Sequence, residues 1–511
     1  MPINAERIRR RWSSMWQVFR IFILLGICAS FLAILWHYGG DFLPYWPDEA
    51  LFIQPSKNLV EGKGMGTPFL DNLLPGISRR TYWQPPVYFL ALGAWGSLFD
   101  FNLLSARWFS RILGVLGLLL LFALSRRWGL PPGVSLFCVL WTALDYRYQY
   151  NANVARMDIL NFVFLLASVM AFTEGMKRQN NYAFLISGLF GALSVLTHLI
   201  SVPVIFSLFI YLLVRRLWKQ SFYFVLPLLL GILAWLIYAL QDWTSFVGQL
   251  SLQFQRKGEY GLILILRRFL LPIGLRTIFS FLIFATLISL KSKHSPLADW
   301  QALVIGVAYL TEVVGVEMWY LGWFIPWGYL TIGMWGNSLL KRWWSKNSRQ
   351  RTKQKLQIAL LAMALLWSGY RAIKTWQFSI KVFTTRSDLA QFMDDLVHSL
   401  PEKSTVLTCS VPDPCLILAR YRTDLKIYQL SPTPMQKEAL DQLAKQADFF
   451  VGFRELVKDK LNVPHSVVRT WTIRTPLGLF QPCLVLLSPD RHKNLLNGEA
   501  LKHREAKNDF H

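Results

Sequence analysis

Asp48 and Glu49 stand side by side just after the first long apolar run, in Trp46-Pro47-Asp48-Glu49-Ala50. Adjacent carboxylates at a membrane exit suit acid–base work. One can take a proton from an acceptor hydroxyl or amine while the other orients it or holds a cation. The plain alternative is an exposed acid pair, with Asp48 capping a helix that starts at Glu49. Asp158, in Asn153-Val154-Ala155-Arg156-Met157-Asp158, is the third candidate. An acid just inside an apolar run is costly to keep there and is a functional candidate by default, although an interfacial Arg156–Asp158 pair would also account for it. If a divalent cation takes part, Asp48, Glu49 and Asp158 are its expected ligands.

A leaving phosphate would need positive charge or bidentate donors. The cations expected on the same face are Arg79, Arg80, Arg107, Arg111, His198, Arg256 and Lys257. Snorkelling to headgroups is the plain reading for Arg107 and Arg111, and a tight turn between two spans is the plain reading for His198. Tyr320, in Glu317-Met318-Trp319-Tyr320 with Pro326 close behind, could line a sugar or acceptor path; an aromatic belt is the alternative.

The elements that must position these residues are membrane helices. The chain has 511 residues, of which 53% are hydrophobic. Its recurrent apolar runs are long enough to cross a bilayer. The net charge of +24 would suggest nucleic acid in a soluble protein. Here the cations gather in short junctions between runs, where they set orientation, so membrane lipids and not nucleic acid are the expected partners. Spans are expected at 17–38, 104–125, 132–149, 155–174, 182–198, 199–214, 221–240, 269–290, 299–316, 318–340 and 356–373.

With these about 11 spans, alternate junctions carry Arg126-Arg127, Lys177-Arg178, Arg215-Arg216, Lys291 with Lys293, and the run from Lys341 to Lys355. The N-terminus, behind the Arg7–Arg11 cluster, is then cytoplasmic. The run 87–100 is too short for a span, at about 21 Å as a helix against a core of about 30 Å, and reads as a juxtamembrane or re-entrant helix. No cleavable leader is expected, because the first apolar run is too long and no small-x-small site follows it.

The expected fold is therefore mainly α, a polytopic membrane domain over 1–373, with outer loops at 39–103 and 241–268. A small extracytoplasmic α/β domain is expected over 374–490, from short β-rich runs alternating with helical patterns. A polar, disordered tail is expected over 491–511. Among five cysteines, Cys409 and Cys415 flank Val411-Pro412-Asp413-Pro414, a turn that could bring them together as a structural disulfide. No metal-type Cys/His spacing occurs.

These residues are arranged as in a known family. The chain resembles the GT-C superfamily of polyprenyl-phosphate-sugar-dependent glycosyltransferases. Within it, the chain is most similar to the branch of dolichyl-phosphate-mannose–protein mannosyltransferases and the lipid A aminoarabinose transferase. The resemblance covers about residues 15–340. It rests on Pro47-Asp48-Glu49, Tyr82-Trp83-Gln84-Pro85-Pro86-Val87-Tyr88, Phe99-Asp100-Phe101 with Ala106-Arg107, Ala155-Arg156-Met157-Asp158, and Tyr320 with Pro326.

It implies an inverting hexosyl- or pentosyltransferase of the bacterial inner membrane or its equivalent, acting on the non-cytoplasmic side. The donor is a polyprenyl-phosphate sugar and the acceptor a glycan, lipid or protein. Asp48 is then the general base, and Tyr82, Gln84 and Arg156 join the substrate-binding candidates. A divalent metal is compatible with the superfamily without being implied. Relatives in the aminoarabinose branch carry a basic residue before the proline of the loop closure and an arginine soon after the acid pair. Here Gln84 and neutral residues stand there, so the phosphate ligand falls to Arg79, Arg80 or Arg256.

A transporter or flippase for a lipid-linked or small anionic substrate is the competing class. Transporters place charges near mid-bilayer and often show internal repeats, whereas these acids cluster at one boundary and no repeat is visible. The charge pattern predicts cytoplasmic signals from reporter fusions after residues 127, 178, 219, 293 and 350; an external signal at most of them contradicts the topology.

Overall fold

The structure, a computed structural model, describes residues 3–39, 47–71, 74–258, 298–315, 320–343, 370, 373, 386–410, 413–430, 443–453, 465–475 and 478–487. The expected spans 269–290 and 356–373 (save residues 370 and 373) and the tail 491–511 lie outside these residues.

Helix α1 (Ile3–Gly39) leads into α2 (Pro47–Val60), then a 3-10 turn at Pro68–Leu70 and α3 (Val87–Phe99). There follow α4 (Leu103–Arg127), α5 (Pro132–Leu144), α6 (Tyr146–Asn151), α7 (Asp158–Arg178) and α8 (Asn181–Thr197). After these come α9 (Val202–Val214), α10 (Trp218–Ala239), α11 (Trp243–Gly258), α12 (Asp299–Gly315) and α13 (Tyr320–Trp343). Among the described residues, four helical stretches are long and apolar enough to cross a membrane: Gln17–Trp36, Leu103–Arg127, Asp158–Arg178 and Trp218–Leu252. The 13-residue α3 is about 20 Å long, shorter than a bilayer core, as its sequence predicts.

Three expectations need correction. The expected span 132–149 breaks after Leu144, because Asp145 takes the Arg147 amide at 2.9 Å and caps α6 instead of continuing α5. Aspartate competes with helix continuation in this way, and the Tyr329 hydroxyl donates to its other oxygen at 3.1 Å. The expected span 155–174 starts later, at Asp158, because 152–157 form an irregular turn. The expected loop 241–268 is helical as far as Gly258.

The helices close on one another through small residues, as bilayer helices do. A Cβ added to Gly188 of α8 would stand 2.0 Å from the Phe224 carbonyl oxygen of α10. One added to Gly117 of α4 would stand 2.5 Å from the Tyr148 hydroxyl. Around these contacts lies one core in which Phe31, Leu118, Tyr148, Phe162, Phe172 and Trp327 are buried.

The C-terminal unit begins with α14 (Arg386–Ser399) and includes α15 (Cys415–Tyr421). Its strands are β1 (Thr405–Cys409), β2 (Lys426–Gln429), β3 (Phe449–Phe453), β4 (Ser466–Thr470), β5 (Ile473–Thr475), β6 (Gly478–Phe480) and β7 (Pro482–Leu486). The main sheet runs β2-β1-β3-β7-β4. β1 is parallel to β2 and β3; β7 is antiparallel to β3 and β4. β5 and β6 form a separate hairpin.

Val406 and Leu484 of the main sheet share a core with Phe392 of α14 and Leu418 of α15, and this core also takes in Ala50 of α2 and Phe69 of the 3-10 turn. The α/β unit is thus seated on the helix that bears the acid pair. The expected Cys409–Cys415 disulfide is not formed. Cys415 belongs to the core shared with α2, while Cys409 belongs to the core on the sheet's other side.

The Gly188 contact is close to backbone, which cannot swing aside. Gly188→Val is expected to lower stability by about 1–3 kcal/mol, read as a lower unfolding temperature of the purified protein.

Candidate functional site

The site begins with the first turn of α2. Proline at the first helical position fits without losing a bond, and acids in the first turn favour the helix dipole. α2 starts at Pro47, so Asp48 lies within the first turn beside Glu49 and does not precede it as a cap.

The two acids then diverge. Glu49 is completely buried and meets Arg107 of α4 fork to fork. Arg107 Nε donates to Oε1 at 2.8 Å and Nη2 to Oε2 at 2.7 Å. The Ala155 amide donates to Oε1 at 2.9 Å. One carboxylate therefore ties α2, α4 and the 152–157 turn together. Arg107 is itself buried, so the snorkelling reading fails: its partner is inside the protein. Arg111, one turn on, is also buried; its Nε donates to Asn153 Oδ1 at 2.7 Å and its guanidinium lies 5.0 Å from the Trp108 ring centre.

Asp48 faces the other way. Its side chain is 30% exposed and takes a hydrogen bond from Arg156 Nη1. Arg156 is buried, and its Nε donates to Asp158 Oδ2 at 2.9 Å. The structure thus joins Asp48, Arg156 and Asp158, all named from sequence, into one chain. The interfacial Arg156–Asp158 pair is present, and it extends to Asp48. Asp158 is buried at the start of α7, and its Oδ1 has no hydrogen-bond partner among the described residues.

The expected cation ligands Asp48, Glu49 and Asp158 do not fit a metal as they stand. Arg107 grips Glu49, and Arg156 lies between the two aspartates. Among the described residues, no group of three His, Cys, Asp or Glu side chains could hold a metal ion.

His198 is buried and caps the 3-10 turn at Leu199–Ser201, its Nδ1 accepting from the Ile200 amide at 2.9 Å. This is the tight-turn role. The turn is tied to α7 by Asn161, one helical turn beyond Asp158. Asn161 Nδ2 donates to the His198 carbonyl at 3.1 Å and to the Ser194 carbonyl at 2.7 Å. Its Oδ1 accepts from Trp323 Nε1 of α13 at 2.9 Å.

Tyr82 is fully buried, its amide donating to Gln249 Oε1 of α11 at 2.7 Å. Gln84 and Arg80 are half-buried and Arg79 is exposed, all in the segment between α2 and α3. The side chains of Arg256, Lys257 and Tyr320 lie outside the described residues.

Sequence reading missed Asn153, Asn161 and Gln249 as site-building residues. Asn161 does leave a signal, a lone amide in the apolar run Ile159-Leu160-Asn161-Phe162, where polar groups need partners. Gln249 leaves none, since its partners are distant backbone groups.

Removing one partner of a buried ion pair strands the other charge, at about 3–5 kcal/mol. Arg107→Met is expected to destabilise the purified protein on that scale. Adding Glu49→Leu is expected to recover most of the loss, as thermal unfolding of the two variants would show.

Residues 83–241 match the sequence model of the dolichyl-phosphate-mannose-protein mannosyltransferase family. A protein of Aquifex aeolicus (strain VF5) is 25% identical over 165 residues, 32% of this chain and 32% of that protein. The match thus spans about a third of that relative's length. The crystal structure of ArnT from Cupriavidus metallidurans bound to undecaprenyl phosphate is similar with a TM-score of 0.52 at 12% identity, over 92% of this chain and 98% of that one. Its apo form gives 0.50 at 13% identity, over the same shares. Over nearly its whole length the chain therefore shares the fold of these two ArnT structures, and its residues 83–241 carry the sequence pattern of the mannosyltransferase family.

Proposed function

We propose that the protein transfers a sugar from a polyprenyl-phosphate donor to an acceptor on the non-cytoplasmic side of the membrane, with Asp48 as general base and inversion at the anomeric carbon. One observation carries the reading. Of the three clustered acids, Glu49 and Asp158 are buried, whereas Asp48 keeps an open face while Arg156 fixes its orientation. A base must reach its proton and be held in place, and Asp48 meets both needs.

In the proposed step the acceptor hydroxyl or amine gives its proton to the Asp48 carboxylate. The acceptor atom bonds to the anomeric carbon from the face opposite the phosphate. The bond between the anomeric carbon and the phosphate oxygen breaks, and its electron pair leaves on polyprenyl phosphate. The growing charge on that oxygen calls for cations already in place. Arg79 and Arg80, on the segment that packs against α2, are the proposed donors to it, and Arg156 borders the reacting face. Glu49 and Arg107 take no proton; they hold α2 where Asp48 is useful. No step is routed through a metal, because the acids are already matched by arginines.

The lipid-phosphate donor is supported by ArnT from Cupriavidus metallidurans, which shares the fold and was captured with undecaprenyl phosphate. The family match over residues 83–241 points to the same donor class.

A strain carrying only Asp48→Asn is expected to accumulate a polyprenyl-phosphate sugar and to lack one sugar on an envelope glycan, lipid or protein. Mass spectrometry of its lipids and glycans reads both. Unchanged profiles with normal membrane insertion would sink the enzyme reading, and a donor trapped on the cytoplasmic leaflet would favour a flippase.

A further inference from the structure

α11 meets the segment between α2 and α3 along one face, formed by Ser245, Phe246 and Gln249, which share a side of the helix by their spacing. Gln249 is completely buried, and its amide is used at both ends. Oε1 accepts from the Tyr82 amide at 2.7 Å and the Trp83 amide at 3.2 Å. Nε2 donates to the Pro75 carbonyl at 2.7 Å and the Arg80 carbonyl at 2.9 Å. A single side chain thus closes the two ends of the turn 75–83.

The contact is tight on the other side of the joint as well. Gly76 has φ +62, and a Cβ there would stand 2.2 Å from Ser245 Oγ. Tyr82 packs against Phe246 edge-on, with ring centres 5.7 Å apart.

The turn in turn supports the acid helix. Ile77 is fully buried with Leu51 of α2 and Leu70, and Trp83 packs at their edge. The Trp83 ring centre is 5.7 Å from that of Phe52. The Thr67 amide donates to the Ile77 carbonyl at 2.8 Å and the Thr81 amide to the Met65 carbonyl at 2.7 Å, which ties Met65 and Thr67 to the turn 75–83. A path of direct contacts therefore runs from Gln249, through the turn that carries Arg79 and Arg80, to the helix that carries Asp48.

We propose that Gln249 is a positioning residue: by saturating the backbone of the turn 75–83, it sets Arg79-Arg80 and α2 relative to each other, and so fixes the distance between a phosphate-bearing donor and the acid that acts on its acceptor. The proposal deepens the transferase reading and rests on it for the donor. It makes α11 a part of the site although it supplies no reacting group. Loss of buried backbone partners is expected to loosen the turn and weaken donor binding by roughly tenfold.

The test uses the full-length protein in lipid with two variants that attack the joint from opposite sides. Gln249→Leu removes the amide at similar size, and Gly76→Ala forces the turn off α11 while leaving Gln249 intact. Limited trypsin cleavage at Arg79-Arg80, mapped by mass, is expected to rise about tenfold in either variant. The KM for a polyprenyl-phosphate sugar is expected to rise by a similar factor. A merely destabilised protein would instead lose active fraction at unchanged KM. Wild-type cleavage rates and wild-type KM in variants that insert normally would overturn the proposal, as would lost turnover with KM and cleavage unchanged. If Gln249→Leu does not fold, Gly76→Ala decides alone. If the wild-type protein transfers no sugar, the transferase reading fails by itself, and the cleavage rates still decide whether Gln249 holds the turn.

Discussion

A carboxylate cannot stay ionised inside a membrane protein unless something answers its charge. The structure meets that constraint at Glu49 with the Arg107 fork and the Ala155 amide. Such a pair adds little net stability, because desolvation opposes the attraction. What it supplies is geometry. Two parallel hydrogen bonds fix an angle as well as a distance, so α2 can meet α4 and the 152–157 turn in one way. Asp48, one residue earlier, inherits that placement, takes a hydrogen bond from Arg156 and stays 30% exposed.

The same helix receives support from two further directions. The turn 75–83, held by Gln249, packs Ile77 and Trp83 against its side. The α/β unit closes its core over Ala50 and Phe69. A strand-rich unit whose core includes the residue next to Glu49 is not a loosely tethered appendage. The His198 turn, hung from Asn161, braces α7 and α8 one helical turn beyond Asp158.

Much of this was legible in the amino-acid order, for stated reasons. Apolar runs locate helices because a bilayer demands length and hydrophobicity, and α4 and α8 fall where expected. Asp48 and Glu49 were visible as an adjacent acid pair at a membrane exit, and Asp158 as an acid where acids are costly. Their division of labour was not visible, because it depends on Arg107, 58 residues from Glu49, and Arg156, 108 residues from Asp48. The break at Asp145 was hidden for the same reason: its partner Tyr329 is 184 residues away. α11 reads as a polar loop until its buried face is seen against the turn. The Cys409–Cys415 pairing failed since sequence proximity says nothing about which side of a sheet each residue faces.

The central claim is that two neighbouring acids do different work, Asp48 chemical and Glu49 architectural. The direct measurement follows turnover and unfolding temperature together in purified Asp48→Asn and Glu49→Gln, with a polyprenyl-phosphate sugar as donor. The account predicts that Asp48→Asn loses at least ~10²-fold in rate at an unfolding temperature close to wild type, while Glu49→Gln lowers the unfolding temperature. Substantial turnover by Asp48→Asn, with Glu49→Gln inactive yet fully stable, would contradict it.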